Sequence, residues 1–318
     1  MPQSKTSPSA SAQAAARSNP LARLHIVDLA VLLLAGAGLA WLVLRARATL
    51  PYSWEWSVIP QFLAYVGEDG AWHAGRIATG MAATIRLSLW AGLLALALGT
   101  CAGLMRVSKR LFWRLSGGTY VLFVRNTPPL VLIFLFSYFL SGQLINALGL
   151  DLAVNNMPPV LRPIAETLFG PLRQMPAFLT AIVTLGLIEG AYMAEIVRAG
   201  VQSVEQGQWD AAYALGLSRR QTLATVILPQ AFRRMLPPLT SQFVSTVKDS
   251  AIVSVISIPE LTFQAQELVS ATYRSFEVWT LVLVLYLALN LPCSLASRWL
   301  ELRLRRSDTS FGQGATQR

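Results

Sequence analysis

Six long apolar runs constrain this chain more than any other feature: about Ile26 to Leu44, Met81 to Met105, Tyr120 to Leu140, Ala177 to Val197, Leu236 to Ile258 and Val278 to Leu295. A bilayer core about 30 Å thick is crossed by roughly 20 helical residues, so runs of this length predict an all-α membrane protein with six spans. Lys248 and Asp249 interrupt the fifth run, which makes it the least regular. Composition agrees, with 54% hydrophobic and only 13% charged residues, far from the charge content of an average soluble domain. The formal charge of +10 is scattered between the runs and forms no basic patch interleaved with aromatics, so nucleic acid is not an expected partner.

The distribution of basic residues sets the orientation. With both ends cytoplasmic, the inner segments hold 17 of the 26 Lys and Arg, the outer segments six and the spans three. The excess of positive charge inside favours this arrangement. Residues 1–25, rich in Ser, Ala, Gln and Pro, offer no periodic apolar face and read as a disordered cytoplasmic tail. Ala46-Arg47-Ala48 has the form of a small-x-small cleavage site, but the apolar stretch before it is longer than a signal core, and an uncleaved first span is the better reading.

Cys101 and Cys293 each fall in a predicted span, and His25 and His73 stand alone, so neither a disulfide framework nor a metal site is supported. There is no G-x-G-x-x-G, H-E-x-x-H or G-x-S-x-G, and none of the three lysines follows a glycine as a Walker lysine does. No cofactor is expected. If ATP is used, another chain binds it.

Along the chain, Tyr52, Trp54, Trp56 and Trp72 read as interface anchors of an outer loop. Ala95, Gly99 and Gly103 recur every four residues and predict a smooth helix face on which another helix packs closely. Pro128 and Pro129 break the third span at its start, and a break at membrane depth requires surrounding protein or water. The proline-rich segment between Ser141 and Met175 is too long for a turn and is expected to carry a short surface helix. Glu189, Glu195, Lys248 and Asp249 lie within spans, where ionisable groups mark a pathway unless they pair. Glu195 with Lys248 is one such structural pair.

The stretch GQWDAAYALGLSRRQTLATVILPQ, residues 207–230, is a mixed-polarity interruption on the cytoplasmic side. Gln208 to Leu215 spans about two helical turns, with Trp209 and Tyr213 on one face. Gly216 suits a left-handed C-cap, and Ser218 with Gln221 forms a capping-box pattern for a second helix that Pro229 ends or kinks. Arg219 and Arg220 in the first turn of that helix oppose its dipole, which directs them to headgroups or an acidic partner surface. Physically this is a docking knob for a soluble protein.

Asp210-Ala211-Ala212, then Gly216-Leu217, then Val226-Ile227-Leu228-Pro229 resembles the EAA loop of permease subunits of binding-protein-dependent ABC importers, with Asp210 in place of the usual glutamate. Gly80 to Ser88, Phe123 to Leu130, Ala191 to Arg198, Gly207-Gln208, Lys248-Asp249-Ser250 and Ile258 to Leu261 are similar, in order, to the polar amino-acid branch of that family. The resemblance covers about residues 79–302. It implies a type I ABC importer transmembrane domain, a five-helix core with one extra N-terminal span. It also implies an ATP-binding subunit dimer below, a second permease subunit that is a copy or a paralogue, and a periplasmic binding protein above that delivers a polar amino acid.

The resulting division is a tail at 1–25, an extra span and outer loop at 26–78, the importer domain at 79–302 and a basic tail at 303–318. Asp210, Ala211, Ala212, Gly216, Leu217, Val226, Leu228 and Pro229 are the expected coupling residues, and Arg125, Glu195, Lys248 and Asp249 the candidate path. This chain itself is not an enzyme on that reading. A gradient-driven transporter or channel using Glu189, Glu195, Lys248 and Asp249 as a relay is the alternative; a membrane enzyme lacks any nucleophile–base cluster.

Overall fold

The computed structural model describes residues 26–49, 52–140 and 149–313, with 143 and 147 between them. The expected tail at 1–25 and the last five residues of the chain lie outside the described residues. The chain divides into two compact units between Trp54 and Glu55. The first contains helix α1, Ile26–Thr49, an apolar helix with Asp28 in its first turn, where a negative charge opposes the helix dipole favourably.

The second unit opens with the short helix α2, Ile59–Leu63, and an antiparallel hairpin, β1 Ala64–Val66 and β2 Trp72–Ala74, paired Ala64 to Ala74. The outer loop expected here is therefore folded. Its turn is held by Asp69, whose carboxylate accepts from the Ala71 amide at 3.0 Å and from His73, and the His73 contact holds that carboxyl below its ordinary range.

Helix α3, Arg76–Val107, and helix α8, Met175–Gln202, form the central pair. The small-residue stripe of α3 is what brings them together. A Cβ on Gly99 would lie 2.5 Å from Met193 Cβ, and one on Gly103 would lie 2.7 Å from Val197 Cβ, so only glycine permits this approach. Between them in sequence, α4 (Leu111–Asn126) and α5 (Pro129–Leu135) meet at a bend of 111°. Pro128 and Pro129 lack the backbone donors a continuous helix needs, which places the break inside the third predicted span. The Tyr120 hydroxyl then ties α4 to α8 by donating to the Leu187 carbonyl at 2.6 Å.

The long segment that follows carries two short helices, α6 Leu150–Asn155 and α7 Arg162–Phe169. Phe169 stacks on Trp90 of α3 at 5.2 Å, and Trp90 Nε1 donates to the Leu168 carbonyl. Beyond α8 come α9 (Gln206–Ala214), α10 (Arg219–Gln221), a π turn over Thr222–Ile227, α11 (Leu228–Asp249) and a 3-10 segment over Ser250–Ile256. Helix α12, Leu261–Thr272, and helix α13, Ser275–Gln313, complete the unit. Buried Glu260 caps α12 through the Phe263 amide and accepts from Thr84 of α3 and Tyr286 of α13, joining three helices at one carboxylate.

Among the described residues, α3, α8 with the turn before it, and α13 are each long and apolar enough to cross a membrane, and α4 with α5 passes as one bent span. The fifth predicted run differs. Its helix begins at Leu228 and ends at Asp249, carries Pro237 and Pro238 in its interior, and is too polar to count by composition. Part of its polarity is met by a neighbouring helix: Thr240 and Ser241 share hydrogen bonds with Ser297 of α13, at 2.8 and 3.1 Å.

Candidate functional site

Three features follow one another down α8. Ala177 and Phe178 line a cavity of about 780 Å³ with Arg86 and Glu166. Leu185, Ile188, Glu189 and Tyr192 line a second of about 350 Å³ with Gln242 and Asp249 of α11. Glu195 lies at a third of about 570 Å³ with Arg106 and Arg125. At 1.5 Å per residue, roughly 16 Å separates Phe178 from Glu189 and about 9 Å separates Glu189 from Glu195.

In the middle cavity Glu189 is buried and accepts from Gln242 Nε2 at 2.9 Å and Thr246 Oγ1 at 3.1 Å. Two donors from α11 thus converge on one carboxylate of α8, with Asp249 on the same wall. The sequence marks Glu189 as an ionisable group within a span and as a relay member in the alternative reading, but not among the candidate path residues; it adjoins Gly190, whose carbonyl faces Gly99 of α3.

Glu195 does not pair with Lys248. Its oxygens receive Arg106 of α3 and Arg198 of its own helix, with Arg125 Nη1 at 3.7 Å. Arg125 also lies over the Tyr192 ring, 5.5 Å from its centre. The expected Glu195–Lys248 pair fails because successive residues of a helix point about 100° apart. Asp249 turns toward Glu189, while Lys248 lines a separate cavity between α11 and α13 with Arg298 and Glu301. Of the four path candidates, the structure brings together Arg125 and Glu195, and leaves Lys248 and Asp249 in different cavities.

The 207–230 stretch folds as a closed knob. Helix α9 ends with Gly216 at φ +79°, its amide donating to the Tyr213 carbonyl at 2.9 Å and the Leu217 amide to the Ala212 carbonyl at 3.2 Å, a Schellman pair. Gln221 Oε1 accepts from the Ser218 amide at 2.9 Å and from its hydroxyl at 2.7 Å, starting α10. Asp210 is exposed and accepts from Gln206. Ala211, Gly216 and Pro229 are also exposed, whereas Ala212 is buried and Leu217, Val226 and Leu228 are half-buried. Val226 and Leu228 pack with Trp209 on Val197, Val201 and Ile227. The expected coupling residues therefore divide into an outer set and a set that seats the knob on α8 and α11.

Arg219 belongs to the second set, and this corrects the expectation that both arginines face headgroups or a partner. Its guanidinium lies over the Trp209 ring at 5.8 Å and donates to the Val107 carbonyl at 3.0 Å. Val107 is the last residue of α3, where the carbonyls have no partner within the helix and the dipole favours a cation.

A bundle with one bent span, a polar helix hydrogen-bonded to its neighbours and a helix–turn–helix knob latched to its helices defines the transmembrane subunit of a type I ABC importer. The chain belongs to the family described as binding-protein-dependent transport system inner membrane component, which matches residues 95–306. It is 36% identical over 224 residues to the glutamine transport system permease protein of Escherichia coli, covering 69% of this chain and 90% of that one. A glutamate/aspartate import permease of the same organism is 29% identical over 252 residues, 79% and 95% of the two chains. A solved amino acid ABC transporter with histidines aligns at a TM-score of 0.56 and 31% identity over 73% of this chain and 94% of that one. A methionine ABC transporter in an inward-facing conformation, at 17% identity and a TM-score of 0.53, shares the fold.

Proposed function

We propose that this chain is the permease of a bacterial inner-membrane importer for a polar amino acid, working with a second permease subunit, a dimer of ATP-binding subunits and a periplasmic binding protein. The relatives named for glutamine and for glutamate and aspartate support the substrate class. In this reading the protein crosses the membrane six times with both ends in the cytoplasm, residues 79–302 forming the importer domain and 303–318 a basic tail. No covalent chemistry is assigned to this subunit; the ATPase resides in the partner.

One observation carries the coupling assignment. The knob is continuous with the helix that lines the middle cavity: α10 passes through the π turn into α11, which presents Gln242 and Thr246 to Glu189. The same knob is pinned to the end of α3 by Arg219. Displacing it therefore moves two walls of the bundle together. Asp210, Ala211, Gly216 and Pro229 form the surface an ATPase would grip, and Ala212, Leu217, Val226 and Leu228 transmit the force inward. Glu189 and Asp249 are the groups we place at the path, with Glu195 and Arg125 beyond them and Lys248 beside it.

The test is a pull-down of the full-length protein from its native membranes, wild type beside Gly216→Asp. Recovery of an ATPase with wild type and its loss in the variant supports the reading. Uptake that persists after the ATPase has been removed would instead assign the Glu189 and Asp249 carboxylates to a gradient-driven relay.

A further inference from the structure

Placing Glu195 and Arg125 beyond the path leaves the rest of the third cavity on α8, Arg114 and the neighbouring face of α4, without a role. Its walls are the inner end of α3 and one face of α4. They carry the guanidinium groups of Arg106, Arg114 and Arg125 against a single carboxylate, Glu195, which is already engaged by Arg106 and Arg198. Arg114 is exposed and has no ion-pair partner among the described residues, and Arg125 reaches Glu195 only at 3.7 Å. Like charges gathered in this way repel unless an anion joins them, and the guanidinium fork matches phosphate oxygens.

The same surface also carries apolar residues. Leu115, Gly118 and Leu122 fall on one face of α4 at positions i, i+3 and i+7. Both leucines are mostly exposed, at 57% and 67%, and no atom lies within 4 Å of the place a Gly118 Cβ would occupy. Exposed apolar surface thus lies on α4 between Arg114 and Arg125.

We propose that this cavity holds the headgroup of an anionic glycerophospholipid, its phosphate between Arg114 and Arg125, with the exposed Leu115 and Leu122 beside its glycerol and acyl region. The inference rests on the cytoplasmic placement of the α3 end proposed above, where anionic lipid meets basic side chains. Occupied, the cavity would neutralise the charge surplus beside Glu195 and hold α4 against α3.

The test uses full-length protein in detergent and native mass spectrometry with dioleoyl phosphatidylglycerol and dioleoyl phosphatidylcholine at equal concentration. Each guanidinium near an anionic headgroup is worth about fivefold in retention, so the anionic lipid should be favoured by roughly 25-fold. Arg114→Gln should lower that preference about fivefold and Arg114→Lys should keep most of it, while the Arg114→Gln/Arg125→Gln double variant should retain both lipids equally. Because Arg114 has no ion pair to lose, its substitution leaves the fold intact. Equal retention of the two lipids by wild type, or a preference unchanged in the double variant, overturns the proposal. Displacement of the lipid by millimolar inorganic phosphate would overturn the lipid occupant in favour of a soluble phosphate. ATPase recovery from the same preparation reads the importer assignment separately, so failure of one is distinguishable from failure of the other.

Discussion

Replacing Gly216 tests the knob without touching its contacts. A Cβ at this position meets no atom within 4 Å, so any penalty comes from the backbone, which sits at φ +79°. An alanine held in the left-handed region costs about 1–2 kcal/mol, whereas asparagine, whose short polar side chain tolerates that region, costs less. A loss of 1–2 kcal/mol changes the ratio of closed to open cap by about 5- to 30-fold. The structural reporter is the Leu217 amide, which donates to the Ala212 carbonyl only while the cap is closed. In Gly216→Ala its hydrogen exchange should accelerate by that factor, and ATPase capture should weaken only by the accompanying fall in the closed-cap population, with membrane insertion unchanged. Gly216→Asn should fall between alanine and wild type on both measures. If alanine matches wild type while asparagine loses the ATPase, side-chain size at the surface governs docking and the conformational reasoning is wrong.

Arg219→Ala should leave the protein in the membrane but reduce ATP-driven uptake, because the knob loses its tie to the Val107 carbonyl; ATP hydrolysis persisting without transport would be the signature. Glu189→Leu should destabilise the protein by about 1–3 kcal/mol by leaving the Gln242 amide without its acceptor, while Thr246 keeps the Gln242 carbonyl, and Glu189→Gln should restore much of that stability, both read as thermal midpoints in detergent. Gly103→Val should separate α3 from α8 and lower the yield of folded protein, since its Cβ would lie 2.8 Å from the Ala194 carbonyl oxygen; normal yield would disprove the close packing. Glu195→Gln should weaken the hold of Arg106 and Arg198 and lower the thermal midpoint, an effect that Arg106→Gln in the same chain should not double, because both act on one cluster.

The features that could be read from sequence are those set by local rules. A glycine between a two-turn helix and a Ser-x-x-Gln pattern specifies the Schellman cap and the capping box, and both are present at Gly216 and Ser218. Small residues four apart specify a close helix contact, though not its partner, which proves to be the Gly190–Val197 face of α8. Pairings between distant helices were not legible. Glu195 has candidate partners on several spans, and the choice of Arg106 over Lys248 depends on how α3 and α11 are rotated against α8, which no local pattern records. The hairpin at residues 64–74 was missed for a different reason: each strand has three residues, too few for alternation to register. The role of Arg219 escaped because a cation early in a helix reads as unfavourable until the end of another helix is seen beside it.

The π turn at Thr222–Ile227 gives the link between knob and bundle a particular mechanical character. A π turn holds one residue more than the α turn it replaces. Were that surplus residue passed along the helix or absorbed, everything beyond it would rotate by about 100° about the axis while the knob stayed in place. Such a joint would have detents: in one register α11 presents Gln242 and Thr246 to Glu189, as here, and a shift of the surplus residue would turn them aside. Force applied to the knob would then be delivered to the middle cavity as a ratchet step and not as the bending of a spring.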